Sequence, residues 1–162
     1  MPSRETVMYA VEFEVNGENR TLQVRAADIL LYTLRDSFGL TGSKSGCDNG
    51  DCGTCTLLVD NVPLKACLML TVEANGRRIK TIEGLSNSPV QHAFVRNQAF
   101  QCGYCTPGFI VNCEGLRIVN PHANEETIQV WLESNICRCT SYEEIHRAVK
   151  EVFSMRNQNV KS

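Results

Sequence analysis

Nine cysteines in 162 residues constrain this chain more than any other feature. Eight fall into two compact groups, Cys47, Cys52, Cys55 and Cys67 in the first half and Cys102, Cys105, Cys137 and Cys139 in the second, while Cys113 stands alone in an apolar helical stretch. An odd number does not suit a set of disulfides, and in a reducing compartment thiols gathered this densely serve as metal ligands more often than as bridges. Between Met1 and Val15 there is no basic stretch followed by a long apolar run, no twin arginine and no small-residue cleavage site, so no export leader is read. No apolar run approaches the ~18 residues a membrane-spanning helix requires. The expectation is a soluble, cytoplasmic protein with reduced thiols, in which Cys113 is a buried small residue.

The two groups sit in different surroundings. Val11 to Val15, a turn at Asn16-Gly17 and a returning strand near Thr21 to Val24 predict a hairpin. Asp28 can cap a helix carrying Leu30, Leu31, Leu34 and Phe38 at helical spacing, with Gly39 to end it. From Thr41 to Cys55 periodicity is lost and Gly42, Gly46, Gly50 and Gly53 appear, the mark of a loop whose backbone must come close to something. Strand character resumes over Thr56 to Val59, over Val62 to Cys67 after an Asp60-Asn61 turn, and over Arg78 to Ile82. These elements predict a small α+β domain ending near Gly84.

Beyond Ser88 the apolar spacing is helical and four helix starts can be read. Ser88-Pro89 and Thr106-Pro107 each place proline at the start of a helix, Asn124 can cap the helix of Ile128, Trp131 and Leu132, and Thr140 to Glu143 has a capping-box pattern ahead of Ile145, Ala148, Val149 and Val152. A small helical bundle follows, with Trp131 in its core and a polar tail from Met155 that frays.

Cys47-x4-Cys52-x2-Cys55 with a later cysteine is the spacing of plant-type [2Fe–2S] sites, Cys67 supplying the fourth thiolate. Thiolates and bridging sulfides carry excess negative charge, and Gly46, Gly50 and Gly53 would let backbone N–H groups point at them. The competing reading is a four-cysteine zinc site, but such sites pair two short knuckles and Cys67 belongs to none. In the second group, a CxxC alone could be a redox dithiol and a CxC alone a metal clip; together, Cys102, Cys105, Cys137 and Cys139 can converge as four thiolates. Cys105 and Cys139 each precede a predicted helix start, where the helix dipole favours negative charge.

Other chemistries find little support. His92, His122 and His146 are isolated, and there is no HExxH, GxGxxG, P-loop or GxSxG. Sixteen Lys+Arg against eighteen Asp+Glu leave no basic footprint for nucleic acid. Lys65, Arg77, Arg78 and Lys80 form the densest basic stretch and read as a solvated strand face.

With both motifs in hand, the chain resembles the iron–sulfur subunit of the molybdenum hydroxylases, the family of xanthine dehydrogenase, aldehyde oxidoreductase and carbon monoxide dehydrogenase. The resemblance runs nearly end to end and is carried by the run Gly46 to Thr56, Thr81-Ile82-Glu83-Gly84-Leu85, Gln101-Cys102-Gly103-Tyr104-Cys105-Thr106-Pro107-Gly108 and Asn135-Ile136-Cys137-Arg138-Cys139-Thr140. It implies a β-grasp, plant-ferredoxin-like domain over residues 1–84 and an all-α four-helix-bundle domain over 85–162, each holding a [2Fe–2S] cluster on the cysteines named above. It implies that electrons run from molybdopterin through the second group, then the first, to FAD, and that Gln101 and Cys139 touch the pterin. The partners it implies are a molybdopterin-binding large subunit and an FAD-binding subunit in a hetero-oligomer, a dimer of heterotrimers being one arrangement, with no nucleic acid or membrane partner and no catalytic residue on this chain. The expected substrate is xanthine or a related purine, with an aldehyde, carbon monoxide or an N-heteroaromatic ring as the alternative and a freestanding ferredoxin-like carrier further off. Ser134 and Ser141 stand where the family commonly has glycine, and Cys113 is uncommon at its place; none of these removes a ligand.

Overall fold

The computed structural model describes residues 7–159. The reading of an amino terminus without a leader falls partly on residues 1–6, and the end of the polar tail on 160–162, outside the described residues.

Val11, Phe13 and Val15 alternate with polar neighbours, so β1 (Met8–Val15) can bury one face while β2 (Glu18–Arg25) pairs it antiparallel along its whole length. Asn16 and Gly17 at φ 53° and 90° make the tight connection, so the hairpin is longer than its apolar residues alone predict. Three further strands complete a mixed sheet in the order β2-β1-β5-β3-β4, formed by β3 (Thr56–Val59), β4 (Val62–Lys65) and β5 (Arg78–Lys80). β5 runs parallel to β1 and antiparallel to β3. Leu30, Leu31 and Leu34 are fully buried against this sheet with Val11, Phe13, Leu57 and Ile79.

Several boundaries differ from the sequence reading, each for a local reason. The first helix, α1 (Leu30–Tyr32), widens at once into a π turn over Thr33–Ser37. Asp28 does not cap it: its carboxylate accepts from the Arg25 backbone N–H and Nε, both at 2.8 Å, and holds the turn after β2. β4 stops at Lys65, and a 3-10 turn over Ala66–Leu68 carries Cys67 out of the sheet. β5 stops at Lys80 because the next N–H, of Thr81, donates to Asn16 Oδ1 at 2.9 Å.

Four helices make the second half: α2 (Pro89–Arg96), α3 (Thr106–Val119), α4 (Glu125–Leu132) and α5 (Tyr142–Asn159). Ser88 caps α2 through Val90 N–H at 3.0 Å while Gln91 reaches back to Ser88 N–H at 2.9 Å, and Asn124 caps α4 through Thr127 N–H at 2.8 Å. The cap of α5 falls one residue later than expected, on Ser141, which accepts from Glu143 N–H at 3.2 Å. That helix also continues past Met155, where fraying is expected from composition. Phe94, Phe109, Leu116, Leu132, Ile145 and Val149 form its core, with Cys113 fully buried among them and Trp131 packed at its side, donating from Nε1 to Asn112 O at 3.0 Å. No helix is long and apolar enough to cross a membrane among the described residues.

The two halves are pressed together through α3, which crosses β3 and β4. Gly108 makes this possible, since a Cβ there would lie 2.2 Å from the backbone oxygen of Gly53.

Candidate metal centres

In the first cysteine group, Cys67 lies on the 3-10 turn after β4, and Cys47, Cys52 and Cys55 on the irregular stretch between α1 and β3. Its shape is set by short-range bonds: Arg35 donates to Thr41 O and Ser43 O, Thr54 Oγ1 donates to Lys44 O at 2.8 Å, and Thr56 Oγ1 donates to Gly53 O at 2.7 Å. Asp48 sits at φ 57°, its carboxylate held by Tyr32 OH at 2.8 Å and Ser45 Oγ at 2.7 Å. Cys52 N–H donates to Cys47 Sγ at 3.3 Å. That N–H, followed by the one from Asn49 and aided by the Cys52 thiol and Asp51 N–H, brings the Cys47 thiol down to about 7 against the opposing effect of burial. Several N–H groups therefore converge on one sulfur, as the glycine-rich loop predicts. Gly46 leaves the space: a Cβ there would meet Cys52 Sγ and Thr54 Oγ1, each at 2.8 Å.

Cys55 and Cys67 form the other side of this group, both buried. Burial pushes the Cys55 thiol up to about 12, the Cys67 N–H works against that, and the adjacent Cys67 thiol adds to it.

In the second group, Cys102 and Cys105 lie on the turn before α3, and Cys137 and Cys139 on the link between α4 and α5. The Cys139 and Cys102 sulfurs are 3.6 Å apart, and both residues are exposed, as is Gln101. Cys105 is half-buried and Cys137 buried. Burial, then the neighbouring Cys137, raises the Cys105 thiol to about 12, while Cys102 raises that of Cys139. Burial also acts against a Cys137 thiolate, but the Thr140 N–H at 3.3 Å, the Cys105 thiol and the Cys139 N–H outweigh it and lower its pKa. Of the two cysteines expected just before helix starts, Cys105 does sit at the N-cap of α3, whereas α5 begins only at Tyr142, three residues beyond Cys139. At Cys105 burial and a crowding thiol oppose ionisation, at Cys139 a crowding thiol does, and the Thr140 and Cys139 N–H groups favour a Cys137 thiolate.

In both groups the thiols act on one another, most strongly in the pairs Cys47 with Cys52, Cys55 with Cys67, Cys102 with Cys139 and Cys105 with Cys137, with Cys52 acting on Cys55 and Cys102 on Cys105 as well. No three His, Cys, Asp or Glu side chains converge on a single-ion position among the described residues. Two pairs of thiolates are what a two-iron cluster takes, one pair for each iron, whereas a structural zinc gathers four donors around one ion. A buried hydroxyl, Thr106 Oγ1, on the residue after Cys105, has no hydrogen-bond partner among the described residues. The donor set therefore fits [2Fe–2S] clusters.

The groups are also joined. Tyr104 OH, from the second, donates to Ser45 O near the first at 2.5 Å. Ile136 N–H donates to Cys52 O at 3.0 Å, and Lys65 Nζ donates to Ser134 O at 2.9 Å. Lys65 is therefore more than part of a solvated strand face, while Arg77 and Arg78 pair with Asp60. Nothing in the sequence marks Lys65 or Tyr104 for these roles, because each partner is a backbone carbonyl far away in the chain.

Two family profiles match the chain, a 2Fe-2S iron-sulfur cluster binding domain over residues 13–78 and a [2Fe-2S] binding domain over 81–150. The small subunit of nicotine 6-hydroxylase from Paenarthrobacter nicotinovorans is 44% identical over 142 residues, covering 86% of each chain. The small FeS subunit of nicotinate dehydrogenase from Eubacterium barkeri is 40% identical, covering 86% of this chain and 92% of that one. Among solved structures, a chain of quinoline 2-oxidoreductase from Pseudomonas putida 86 superposes with a TM-score of 0.86 at 36% identity, covering 93% of this chain and 97% of that one. The aldehyde oxidoreductase from Desulfovibrio gigas gives 0.88 at 36% identity over 94% of this chain, which spans 18% of that longer one. Plant-ferredoxin-like in its first half and helical in its second, with a [2Fe–2S]-binding domain in each, this chain belongs to the iron–sulfur small subunits of the molybdenum hydroxylases, multi-subunit oxidoreductases.

Proposed function

We propose that this chain relays electrons one at a time from a molybdopterin centre on a large subunit to FAD on a third subunit, in the cytoplasm. Cys47, Cys52, Cys55 and Cys67 hold one cluster in a domain of residues 1–84, and Cys102, Cys105, Cys137 and Cys139 hold the other in a domain of residues 85–162. The observation that carries this reading is the gathering of cysteines in two groups, with the Cys52 N–H on Cys47 Sγ at 3.3 Å in one and the Cys102 and Cys139 sulfurs 3.6 Å apart in the other. When bound, the clusters supply one-electron redox chemistry. The chain's own residues supply thiolates, N–H donors to sulfur, and walls that exclude water from Cys55, Cys67 and Cys137.

Exposure supports the order of the relay. Cys102, Cys139 and Gln101 open to the surface, bordered by the exposed side chains of Phe100, Tyr104, Ile136 and Tyr142. A large subunit seated there would bring its pterin to Gln101 and Cys139.

For the substrate, the reading moves from xanthine to an N-heteroaromatic ring more generally, since the relatives' names specify nicotine, nicotinate, quinoline and caffeine, beside aldehydes. The test is anaerobic reduction of the natively purified complex by nicotinate, quinoline, xanthine and an aliphatic aldehyde in turn, with iron and molybdenum counted. About four iron atoms per copy of this chain, molybdenum in the same complex and cluster bleaching by an N-heteroaromatic compound are expected. Bleaching by xanthine alone would restore the purine reading, and zinc in place of iron would overturn the relay.

A further inference from the structure

Between the two cysteine groups lies a buried polar pair that supplies no ligand to either. Asn135 is 2% exposed and Asn112, on α3, is 4% exposed. Asn112 Nδ2 donates to Asn135 Oδ1 at 2.9 Å and to Ser134 Oγ at 3.0 Å, which turns the Asn135 amide so that its Nδ2 donates to Gly53 O at 2.9 Å. Gly53 lies between Cys52 and Cys55, and Asn135 stands two residues before Cys137. The next N–H along, that of Ile136, donates to Cys52 O at 3.0 Å. A covalent and hydrogen-bonded route therefore runs from Cys52 through its carbonyl and the Ile136 N–H to Cys137.

Burying two amides costs free energy unless their polar atoms find partners, and apolar side chains of similar size would fill the same volume. What the amides add is orientation. Resting on the relay reading above, we propose that Asn135, seated by Asn112, is a positioning residue for electron transfer between the two groups. Thr56 holds the Gly53 carbonyl from within the loop, and Asn135, the donor to it from the second half, ties that loop to the link before Cys137 and so keeps the Cys52 carbonyl on the Ile136 N–H. In the step it serves, one electron crosses: a ferrous iron on the second group becomes ferric, a ferric iron on the first becomes ferrous, and no proton moves or bond breaks.

Asn135→Leu separates positioning from packing, because it fills a similar volume with no donor to Gly53 O, while Asn112 Nδ2 keeps Ser134 Oγ and Trp131 O as acceptors. The test uses the full complex with its partners. Expected are unchanged iron, both cluster EPR signals present with a weaker magnetic interaction between them, faster deuterium exchange at Ile136 N–H, and electron redistribution slowed about 10- to 100-fold, the range of an outer-shell partner. Asn112→Ala, which unseats the amide without touching Gly53, should slow it in the same direction by less. Unchanged redistribution in an iron-complete variant would overturn the proposal, as would loss of iron from both variants, which would make the pair purely structural. Failure of the relay reading itself would look different: the unmodified complex would lack the two cluster signals.

Discussion

Cys52 serves three ends with three groups: its N–H donates to Cys47 Sγ, its sulfur lies 3.2 Å from Thr54 Oγ1, and its carbonyl accepts from Ile136. Cys52→Ser keeps the backbone bonds and removes only the thiolate. The iron content should therefore fall from about four to about two per chain, with one EPR signal lost and the other intact; loss of neither would remove Cys52 from the ligand set. Cys113→Ala is the contrast. Its side chain is fully buried in the helical core, so both clusters should stay while unfolding stability drops by about 1 kcal/mol, the cost of a small cavity. At this scale spacing made the residues of both groups legible, because ligand spacing is a property of the chain. Which sulfur meets which was not, since Cys102 meets Cys139 across a bundle whose packing no spacing encodes.

Helix starts were legible wherever a side chain bonds its own backbone. Asn124 caps as the sequence pattern predicts, and the helix that Pro89 marks is capped by the serine before it, since in both donor and acceptor lie within three residues of each other. The cap of α5 falls on Ser141, while Thr140 N–H donates to Cys137 Sγ, so the residue the pattern marks as the cap is turned to the cysteine group instead. Likewise α1 widens and β4 ends early where the chain must turn toward the cysteine loop, and the parallel pairing of β5 with β1 joins residues too far apart for any local signal. Ser88 also shows why an element boundary can matter beyond its own helix. Its hydroxyl accepts from Val90 N–H and bonds the carboxylate of Glu114, which is buried on α3. Ser88→Ala should cost about 1 kcal/mol for the lost cap and about 1–3 kcal/mol more for the weakened bonding of a buried carboxylate. A fall in denaturant midpoint with unchanged iron would bear this out. A change confined to the cap value would show that Arg117, which pairs with Glu114, satisfies that carboxylate alone.

On the scale of the whole molecule, two cores are held as one body by the crossing of α3 over β3 and β4, and this contact also brings the cysteine groups together. Gly108 decides how close the halves come, and two effects oppose each other there. Alanine is the better helix former by about 1 kcal/mol, which alone would stabilise α3. Its Cβ, however, would stand 2.2 Å from Gly53 O and 3.0 Å from Thr54 Cα, both backbone atoms that cannot swing aside. Overpacking of this kind costs about 1–3 kcal/mol, so Gly108→Ala should destabilise the protein on balance. Lifting α3 also draws Asn112 away from Asn135, and Gly53 O is the carbonyl that Asn135 holds. The loss should therefore appear as a lower unfolding midpoint together with a weaker magnetic interaction between clusters that are both still present. Stabilisation by about 1 kcal/mol, as helix propensity alone would give, would mean that the halves are not in tight contact at this point and that their spacing is set elsewhere.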